Sequence, residues 1–190
     1  EEIKTKSLVN GVIKMIVSDQ GISTHVRSNP YVEEHYEKGF NVMLSDVELP
    51  MASRYTVKST NYLINYLEWK RARSMGCDEM LFLNGKRHLV EATRSNLFAI
   101  YDGTIVTPPL ESGCLSGIMR RVIIEKSGEK IKIVNFDLEK LKKADAVFLT
   151  NSVMGVMPVN RIEETIYDSV NHPIVRKLMN HNNGRWKTNG

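Results

Sequence analysis

The stretch EATRSNLFAIYDGTIVTPPLESGCLSGIMR, residues 91–120, is the most informative part of the sequence. Its first half contains two short apolar runs, NLFAIY and TIVTP, joined by Asp102-Gly103. Asp-Gly between such runs predicts a hairpin, because a type I′ turn needs a positive φ at both central residues. After Pro108-Pro109, the small residues SGCLSG open an amphipathic run that predicts a helix. A glycine-bearing turn at a helix start exposes backbone N–H groups, which suits a phosphate, although most such turns bind no anion.

The regions on either side of this stretch alternate between strand-like and helix-like patterns. Apolar runs predict strands at residues 11–18, 39–47, 79–84, 87–92, 131–136, 144–152, 157–162 and 165–167. Asn84-Gly85 predicts a second hairpin of the favoured type. Helical spacing of Tyr62, Leu63, Tyr66 and Leu67 predicts a helix that ends near Gly76. Further helices are predicted up to Gly128, after Asp137 as N-cap, and over residues 173–181. The fold class is therefore α+β.

Composition excludes several classes of protein. The chain has 190 residues and a net charge of +4, and its basic residues are interspersed with acidic ones, which disfavours nucleic-acid binding. The two cysteines and five histidines lack metal-ligand spacing, so no metal site is predicted. We see no apolar run of membrane-spanning length and no signal peptide, so we expect a cytoplasmic protein that does not bind membranes.

Four ordered motifs resemble one known family. The motifs E-A-T-x-S-N-L-F, D-G-x-I-x-T-P and L-x-G-I-M-R together resemble the signature of the class IV aminotransferases, the fold-type IV enzymes that use pyridoxal 5′-phosphate (PLP). KSTNYL at residues 58–63, DAVFLTNS at 145–152 and MPV at 157–159 agree in the same order. The resemblance covers residues 11–161. It implies a D-amino acid aminotransferase-like fold, PLP as cofactor, a small anionic substrate and a homodimer.

The resemblance also implies a domain organisation. Residues 1–50 would be the remainder of a small N-terminal α/β domain, 51–57 an interdomain loop, and 58–190 a large PLP-binding domain of β-hairpins and helices. Family members carry a further N-terminal segment that includes an arginine for the cofactor phosphate. We therefore expect a truncated chain, and an inactive binding or structural fragment is one alternative to an enzyme.

Lys58 is the predicted catalytic residue, because PLP chemistry needs a lysine amine that links to the cofactor and moves protons at the substrate carbon. By resemblance, Glu91 would contact the pyridine nitrogen and keep it protonated. Without the resemblance, Lys58 would be read as a surface lysine and Glu91 as an exposed residue at a strand end. Tyr62 matches a tyrosine that contacts the ring hydroxyl in some members, but it also fits the apolar face of a helix. Asn96 is interpreted as a structural turn residue.

The resemblance places the cofactor phosphate on the turn that opens the helix. The backbone N–H groups of Ile118 and Met119 would bind it, with Gly117 at the turn and Ser152 next to Asn151 closing from the other side. The ring would pack against Leu115.

Three positions favour one branch of the family. Met119 and Ser152 replace threonines seen in aminotransferases, and Lys14 stands where branched-chain enzymes carry an arginine for the substrate carboxylate. These three residues and the segments G-I-M-R and T-N-S-V-M-G-V-M-P-V favour 4-amino-4-deoxychorismate lyase. This enzyme releases pyruvate and p-aminobenzoate for folate biosynthesis. A class IV aminotransferase that acts on branched-chain or D-amino acids with 2-oxoglutarate is the alternative.

Overall fold

The structure, a computed structural model, describes residues 11–51, 58 and 62–183. In this part of the chain it contains eleven strands, five α-helices and one 3₁₀ turn. The strands are β1 (Gly11–Ser18), β2 (Gly21–Ser28), β3 (Phe40–Leu49), β4 (Glu79–Asn84), β5 (Leu89–Ala92), β6 (Asn96–Tyr101), β7 (Thr104–Thr107), β8 (Ile131–Ile133), β9 (Ala146–Asn151), β10 (Gly155–Ile162) and β11 (Thr165–Ile166). The helices are α1 (Glu33–Lys38), α2 (Leu63–Ser74), α3 (Ile118–Lys126), α4 (Leu138–Leu141) and α5 (Pro173–Asn183), and the 3₁₀ turn is Leu110–Ser112. The predicted α+β class is confirmed.

One sheet of nine strands organises the described residues, in the order β5-β4-β3-β10-β9-β6-β7-β8 with β11 beside β10. Most neighbours are antiparallel, but β3 runs parallel to both β4 and β10, and β8 runs parallel to β7. The sheet therefore brings together three segments that are distant in sequence, and the ends of β5, β6 and β9 come close to one another.

The sheet is buried on both faces, because apolar side chains alternate between two cores. Leu97 and Ala99 of β6 pack in a core with Val147 and Leu149 of β9. Their sequence neighbours point the other way, since side chains alternate along a strand. Phe98 stacks on its cross-strand partner Phe148 with ring centroids 4.8 Å apart, in a second core that helices α3 and α5 cover.

Local sequence signals account for most turns. Asp102 and Gly103 have φ values of 45° and 72°, so the predicted type I′ geometry is confirmed. The hairpin predicted after Asn84 is also confirmed, but its predicted turn type is wrong. Asn84 accepts hydrogen bonds from the N–H groups of Lys86 and His88, and the positive φ of 62° falls on Arg87. The Arg87 N–H also donates to the Asn84 carbonyl at 2.7 Å, so a β-turn followed by a residue in the left-handed region replaces the tight two-residue turn.

Helix ends follow their predicted signals as well. The Asp137 carboxylate accepts a hydrogen bond of 2.8 Å from the Lys140 N–H, which confirms it as the N-cap of α4. Gly128, just after α3, has a φ of 73°, a conformation in which glycine carries no steric cost. The predicted end of this helix is therefore confirmed.

The N-terminal part differs from the expectation in two ways. β2 and α1 were not predicted; β2 pairs with β1 as a separate two-stranded hairpin. The strand predicted at residues 39–47 is present as β3, but it lies in the main sheet between β4 and β10 instead of in a small domain. Parallel pairing with β4 and β10 explains this placement, because it satisfies the backbone of β3 on both sides. Most of the predicted loop at 51–57 lies outside the described residues.

The predicted apolar face of α2 does not face the core. Leu63, Tyr66 and Leu67 are more than half exposed, whereas Glu68 and Ala72 on the same helix are buried. The spacing of apolar residues therefore predicted the helix correctly, but it did not predict which side of the helix is buried.

Replacing Phe148 should test how much the stacked pair contributes to stability. Phe148 is fully buried, so Phe148→Ala should lower the free energy of unfolding by about 3–5 kcal/mol through lost burial and a residual cavity. Urea denaturation measures this change. Ile166→Ala is the matched control, because Ile166 is 75% exposed and its loss should cost no more than about 0.5 kcal/mol. Equal losses in the two variants would contradict this account of the core.

Candidate active site

A cavity of about 530 Å³ opens where the sheet, the β2–α1 connection and the start of α3 meet. This volume is typical of pockets that hold a small molecule or cofactor. Five segments line the cavity, and they come from all parts of the described chain. The lining residues are Arg27, Pro30, Tyr31, Lys58, Tyr62, Glu91, Arg94, Ser95, Asn96, Leu115, Ser116, Gly117, Ile118, Met119, Thr150, Asn151, Ser152 and Val153. Lys58 and every residue predicted to bind the cofactor are among them.

Glu91, at the end of β5, is the buried carboxylate of the cavity and is only 5% exposed. Its Oε2 atom accepts hydrogen bonds from the Asn96 amide and from the Leu115 backbone N–H, both at 3.0 Å. Burial raises the pKa of Glu91 to about 8, against the lowering effects of the Leu115 N–H and of the Lys58 charge. No lysine or arginine among the described residues forms an ion pair with it. A cationic group of a ligand would therefore be stabilised beside Glu91.

Asn96 connects this carboxylate to the turn before α3. Its amide nitrogen donates to Glu91 and, at 2.9 Å, to the backbone carbonyl of Leu115. The turn approaches so closely that a Cβ atom on Gly117 would lie 2.1 Å from the Asn96 Oδ1 atom. Since the two hydrogen bonds fix the Asn96 amide, only glycine fits at position 117. Asn96 is structural, as predicted, but it also lines the cavity.

Helix α3 begins directly at the cavity with Ile118. Gly117 is its N-cap and supplies no side-chain hydrogen bond, so the first backbone N–H groups of this nine-residue helix are not capped by a side chain. Such groups, with the positive end of the helix dipole, favour an anion. Ser152 lines the same cavity from the end of β9. This arrangement suits the phosphate contacts predicted for Ile118, Met119 and Ser152, which remain predictions.

Lys58 brings an amine to the cavity from the connection before α2. Its Nζ atom lies 5.1 Å from the ring centroid of Tyr62, over the ring face. Burial, followed by the nearby negative charges of Glu91 and Glu79, raises the pKa of the Tyr62 phenol. Tyr62 is the N-cap of α2 and does not belong to the exposed apolar face of that helix. Lys58 and Glu91 thus share the cavity with Tyr62.

Asn151 organises the wall formed by the turn after β9. Its Oδ1 atom accepts hydrogen bonds from the N–H groups of Val153 and Met154, both at 2.9 Å. Its amide nitrogen donates to the Tyr31 hydroxyl at 3.2 Å and to the Arg94 carbonyl at 3.3 Å. One side chain therefore closes its own turn and ties it to two other segments of the cavity wall.

Lys14, the predicted substrate-binding residue, is not among the residues that line the cavity. It lies exposed on β1 opposite His25, whereas Arg27, on the same face of the hairpin and opposite Val12, reaches the lining. The cation at this side of the cavity in the structure is thus Arg27. Lys14 lies on the same face of the hairpin as Arg27 but outside the cavity lining. Its role in substrate binding stays a prediction.

Tyr31, Arg94, Ser95 and Thr150 are among the lining residues that sequence reasoning missed. The hydroxyls of Ser95 and Thr150 are buried and have no hydrogen-bond partner within the described ranges. A buried hydroxyl without a partner is unfavourable, so these groups indicate that the cavity receives a polar ligand. The sequence signal for Ser95 was its place inside the S-N-L-F motif. Tyr31 carried no local signal.

A lysine amine, a buried carboxylate and an uncapped helix start share one cavity, an arrangement that suits a ligand with groups of both signs. The chain belongs to the class IV aminotransferase family, whose profile matches residues 2–162. The description of that family is "Amino-transferase class IV".

Relatives within this family carry more than one activity. The chain is 34% identical over 116 residues to a putative branched-chain-amino-acid aminotransferase of Methanocaldococcus jannaschii, covering 60% of this chain and 40% of that protein. It is 36% identical over 121 residues to the aminodeoxychorismate lyase of Bacillus subtilis, with the same coverage of both proteins. The chain therefore spans about two fifths of the length of these two relatives.

Comparison with solved structures agrees with the fold. A putative 4-amino-4-deoxychorismate lyase from Legionella pneumophila superposes with a TM-score of 0.79 at 29% identity. The match covers 93% of this chain and 70% of that one. The predicted D-amino acid aminotransferase-like, fold-type IV architecture is therefore confirmed.

The environment of Glu91 should make stability depend on pH in the ligand-free protein. Its pKa is about 8 in the folded state against an ordinary value of 4.5, so the folded state binds more protons between these values. This contribution to stability is fully present below pH 4.5 and is lost as pH rises through about 8. Glu91→Gln should remove a decline on the order of a few kcal/mol, since one pKa unit corresponds to about 1.4 kcal/mol.

Urea unfolding at pH 5 to 8.5 measures this decline. The exposed Glu164 offers the matched control Glu164→Gln, which should retain the full dependence. Some dependence should persist in Glu91→Gln, because burial also raises the pKa of Glu79. An unchanged slope in Glu91→Gln would show that the carboxyl is not buried as described.

Proposed function

We propose that this chain binds PLP in the cavity and forms the active site of a 4-amino-4-deoxychorismate lyase. The fit of the cavity to PLP rests on the uncompensated Glu91 carboxyl, on the uncapped start of α3 and on the unpartnered hydroxyls of Ser95 and Thr150. Bound PLP supplies an electron sink for the pair of electrons left after proton loss next to the substrate nitrogen. The remaining work falls to residues of the chain.

Each side chain has a task that its surroundings support. Lys58 would hold the cofactor and then carry the proton at the substrate carbon, since a primary amine at the cavity can do both. Glu91, held by Asn96 and Leu115, would keep a proton on the pyridine nitrogen. The backbone N–H groups that open α3 would bind the phosphate, because they are free of side-chain caps.

Asn151 is the observation that favours the lyase over an aminotransferase. In the aminotransferase pattern, a glycine or serine precedes the threonine at this second phosphate site, and neither could make the four hydrogen bonds that Asn151 makes. The asparagine of T-N-S-V-M-G-V-M-P-V thus shapes the wall of the cavity. It supports assigning the chain to the lyase branch, as does G-I-M-R at α3.

The two reactions make different demands after their common first proton transfer. The lyase expels the enolpyruvyl group as pyruvate, and the ring that remains gains aromaticity, so no amino acceptor is needed. An aminotransferase instead releases a keto acid from its amino donor and needs a second keto acid as amino acceptor. The second candidate is supported by the similar identity to the Methanocaldococcus jannaschii aminotransferase.

Borohydride reduction tests the cofactor and its attachment. After incubation with PLP, reduction should leave a pyridoxyl group on Lys58, seen in a tryptic mass map. Lys58→Ala should lose the adduct and the associated absorbance. Lys70→Ala is the matched control, since Lys70 is an exposed lysine on α2, outside the cavity lining. An adduct on another lysine in the wild-type protein would refute the assignment.

Product analysis with the full-length protein tests the reaction. With 4-amino-4-deoxychorismate and no keto acid, we expect pyruvate and p-aminobenzoate in equal amounts. Loss of both products in Lys58→Ala, and their retention in Lys70→Ala, would tie the reaction to this cavity. Leucine or D-alanine with 2-oxoglutarate should give little or no glutamate. Efficient glutamate formation without p-aminobenzoate would instead establish the aminotransferase.

A further inference from the structure

We infer that Arg94 binds a carboxylate of the substrate in this cavity. The inference rests on the proposed function in one respect, namely that the substrate of the site is a carboxylate-bearing compound. Arg94 lies in the turn between β5 and β6, three residues after Glu91, and it lines the same cavity as Lys58.

The turn that carries Arg94 is fixed from two sides. The Asn65 amide of α2 donates to the Thr93 carbonyl at 3.0 Å, and the Asn151 amide donates to the Arg94 carbonyl at 3.3 Å. Helix α2 and the turn after β9 therefore both hold this backbone. A side chain that leaves a fixed backbone loses less entropy when it binds a ligand.

Two groups that are not ligands also fix the guanidinium. Its central carbon lies 4.3 Å from the ring centroid of Trp69, within the range of a cation–π contact. Its Nε atom lies 3.5 Å from Oε1 of Glu79, a carboxylate that is fully buried. The other carboxylate oxygen of Glu79 accepts a hydrogen bond from the Thr93 hydroxyl.

The terminal nitrogens of Arg94 remain available. Glu79 lies on the Nε side, and no described residue accepts a hydrogen bond from either terminal nitrogen. The side chain is 34% exposed, whereas Glu79 is completely inaccessible, and Arg94 is among the residues that line the cavity. A planar guanidinium with free donors binds a carboxylate in a two-point contact that a lysine cannot reproduce.

A purely structural role as the counterion of Glu79 is the competing explanation. This role explains the contact of the Nε atom with Glu79. It does not explain the two terminal nitrogens, which have no acceptor among the described residues. The surroundings add two further groups that suit an anion. Arg27 lines the same cavity, and the Tyr31 hydroxyl is close enough for the Arg94 charge to oppose the rise that burial causes in its pKa.

Both candidate reactions supply such an anion. The lyase substrate carries a ring carboxylate that remains in p-aminobenzoate and an enolpyruvyl carboxylate that leaves in pyruvate. An amino acid carries one α-carboxylate, which pyruvate also resembles. 4-Aminobenzoate and pyruvate are therefore the two probes that distinguish which carboxylate meets Arg94.

Calorimetric titration of the full-length holoprotein tests the inference. Arg94→Gln should bind 4-aminobenzoate or pyruvate about 10- to 100-fold more weakly than the wild type, the range expected for one charge-assisted contact. Binding of the corresponding uncharged amides should not change. Arg94→Lys should fall between the two, because it keeps the charge and loses the fork. Arg176→Gln, which removes an exposed arginine on α5, should bind as the wild type does.

A second variant keeps the test decisive if Arg94→Gln fails to fold with Glu79 left uncompensated. Glu79→Gln/Arg94→Gln removes both charges of the pair and should show the same loss of carboxylate affinity. Weakening with either probe supports the inference. Wild-type affinity of the variants for both probes, or equal weakening for the uncharged amides, overturns it. A wild-type protein that makes no p-aminobenzoate would refute the lyase without altering these binding results.

Discussion

The hydrogen bonds of the Asn96 amide are the constraint on which the site depends. They join the Glu91 carboxylate at the end of β5 to the Leu115 carbonyl before α3. Together with the hydrogen bond from the Leu115 N–H to Glu91, they hold the turn before Gly117 against the sheet, with the start of α3 and the carboxylate in the same cavity. A buried carboxylate and an exposed row of helix N–H groups are each costly or weak alone, but together they can receive one ligand with groups of both signs.

The doubly buried sheet makes this constraint possible. Strands β6 and β9 fill both cores with apolar side chains, so their ends are held rigidly while polar residues cluster just beyond them. Asn151 is the last residue of β9. From this fixed position its side chain forms hydrogen bonds with the following turn, with Tyr31 and with the Arg94 carbonyl. The positions of the cavity residues thus depend on the packing of Phe98, Phe148 and their neighbours. Neither phenylalanine lines the cavity.

The sequence predicted the features that depend on local chemistry. Asp102-Gly103, Asp137 and Gly128 each specify a turn or a helix end within a few residues, and ordered motifs specify Lys58 and Glu91. Features that depend on distant contacts were missed. Tyr31 meets Asn151 across 120 positions of sequence, and β3 joins the main sheet through parallel partners that no local pattern announces. Lys14 and Arg27 lie on one face of a hairpin whose second strand was not predicted. The sequence therefore could not show which of the two residues lies closer to the cavity.

The two buried carboxylates of the site show why it is incomplete without a ligand. Glu79 lies 3.5 Å from the Arg94 Nε atom and accepts a hydrogen bond from Thr93, although burial still raises its pKa. Glu91 accepts two hydrogen bonds but has no contacting cation among the described residues, and burial raises its pKa accordingly. An arginine of the protein thus lies beside one buried carboxylate, whereas no described cation forms an ion pair with the other. A cationic heteroaromatic ring beside Glu91, with an anionic group at the start of α3, would supply what the fold itself leaves unmatched.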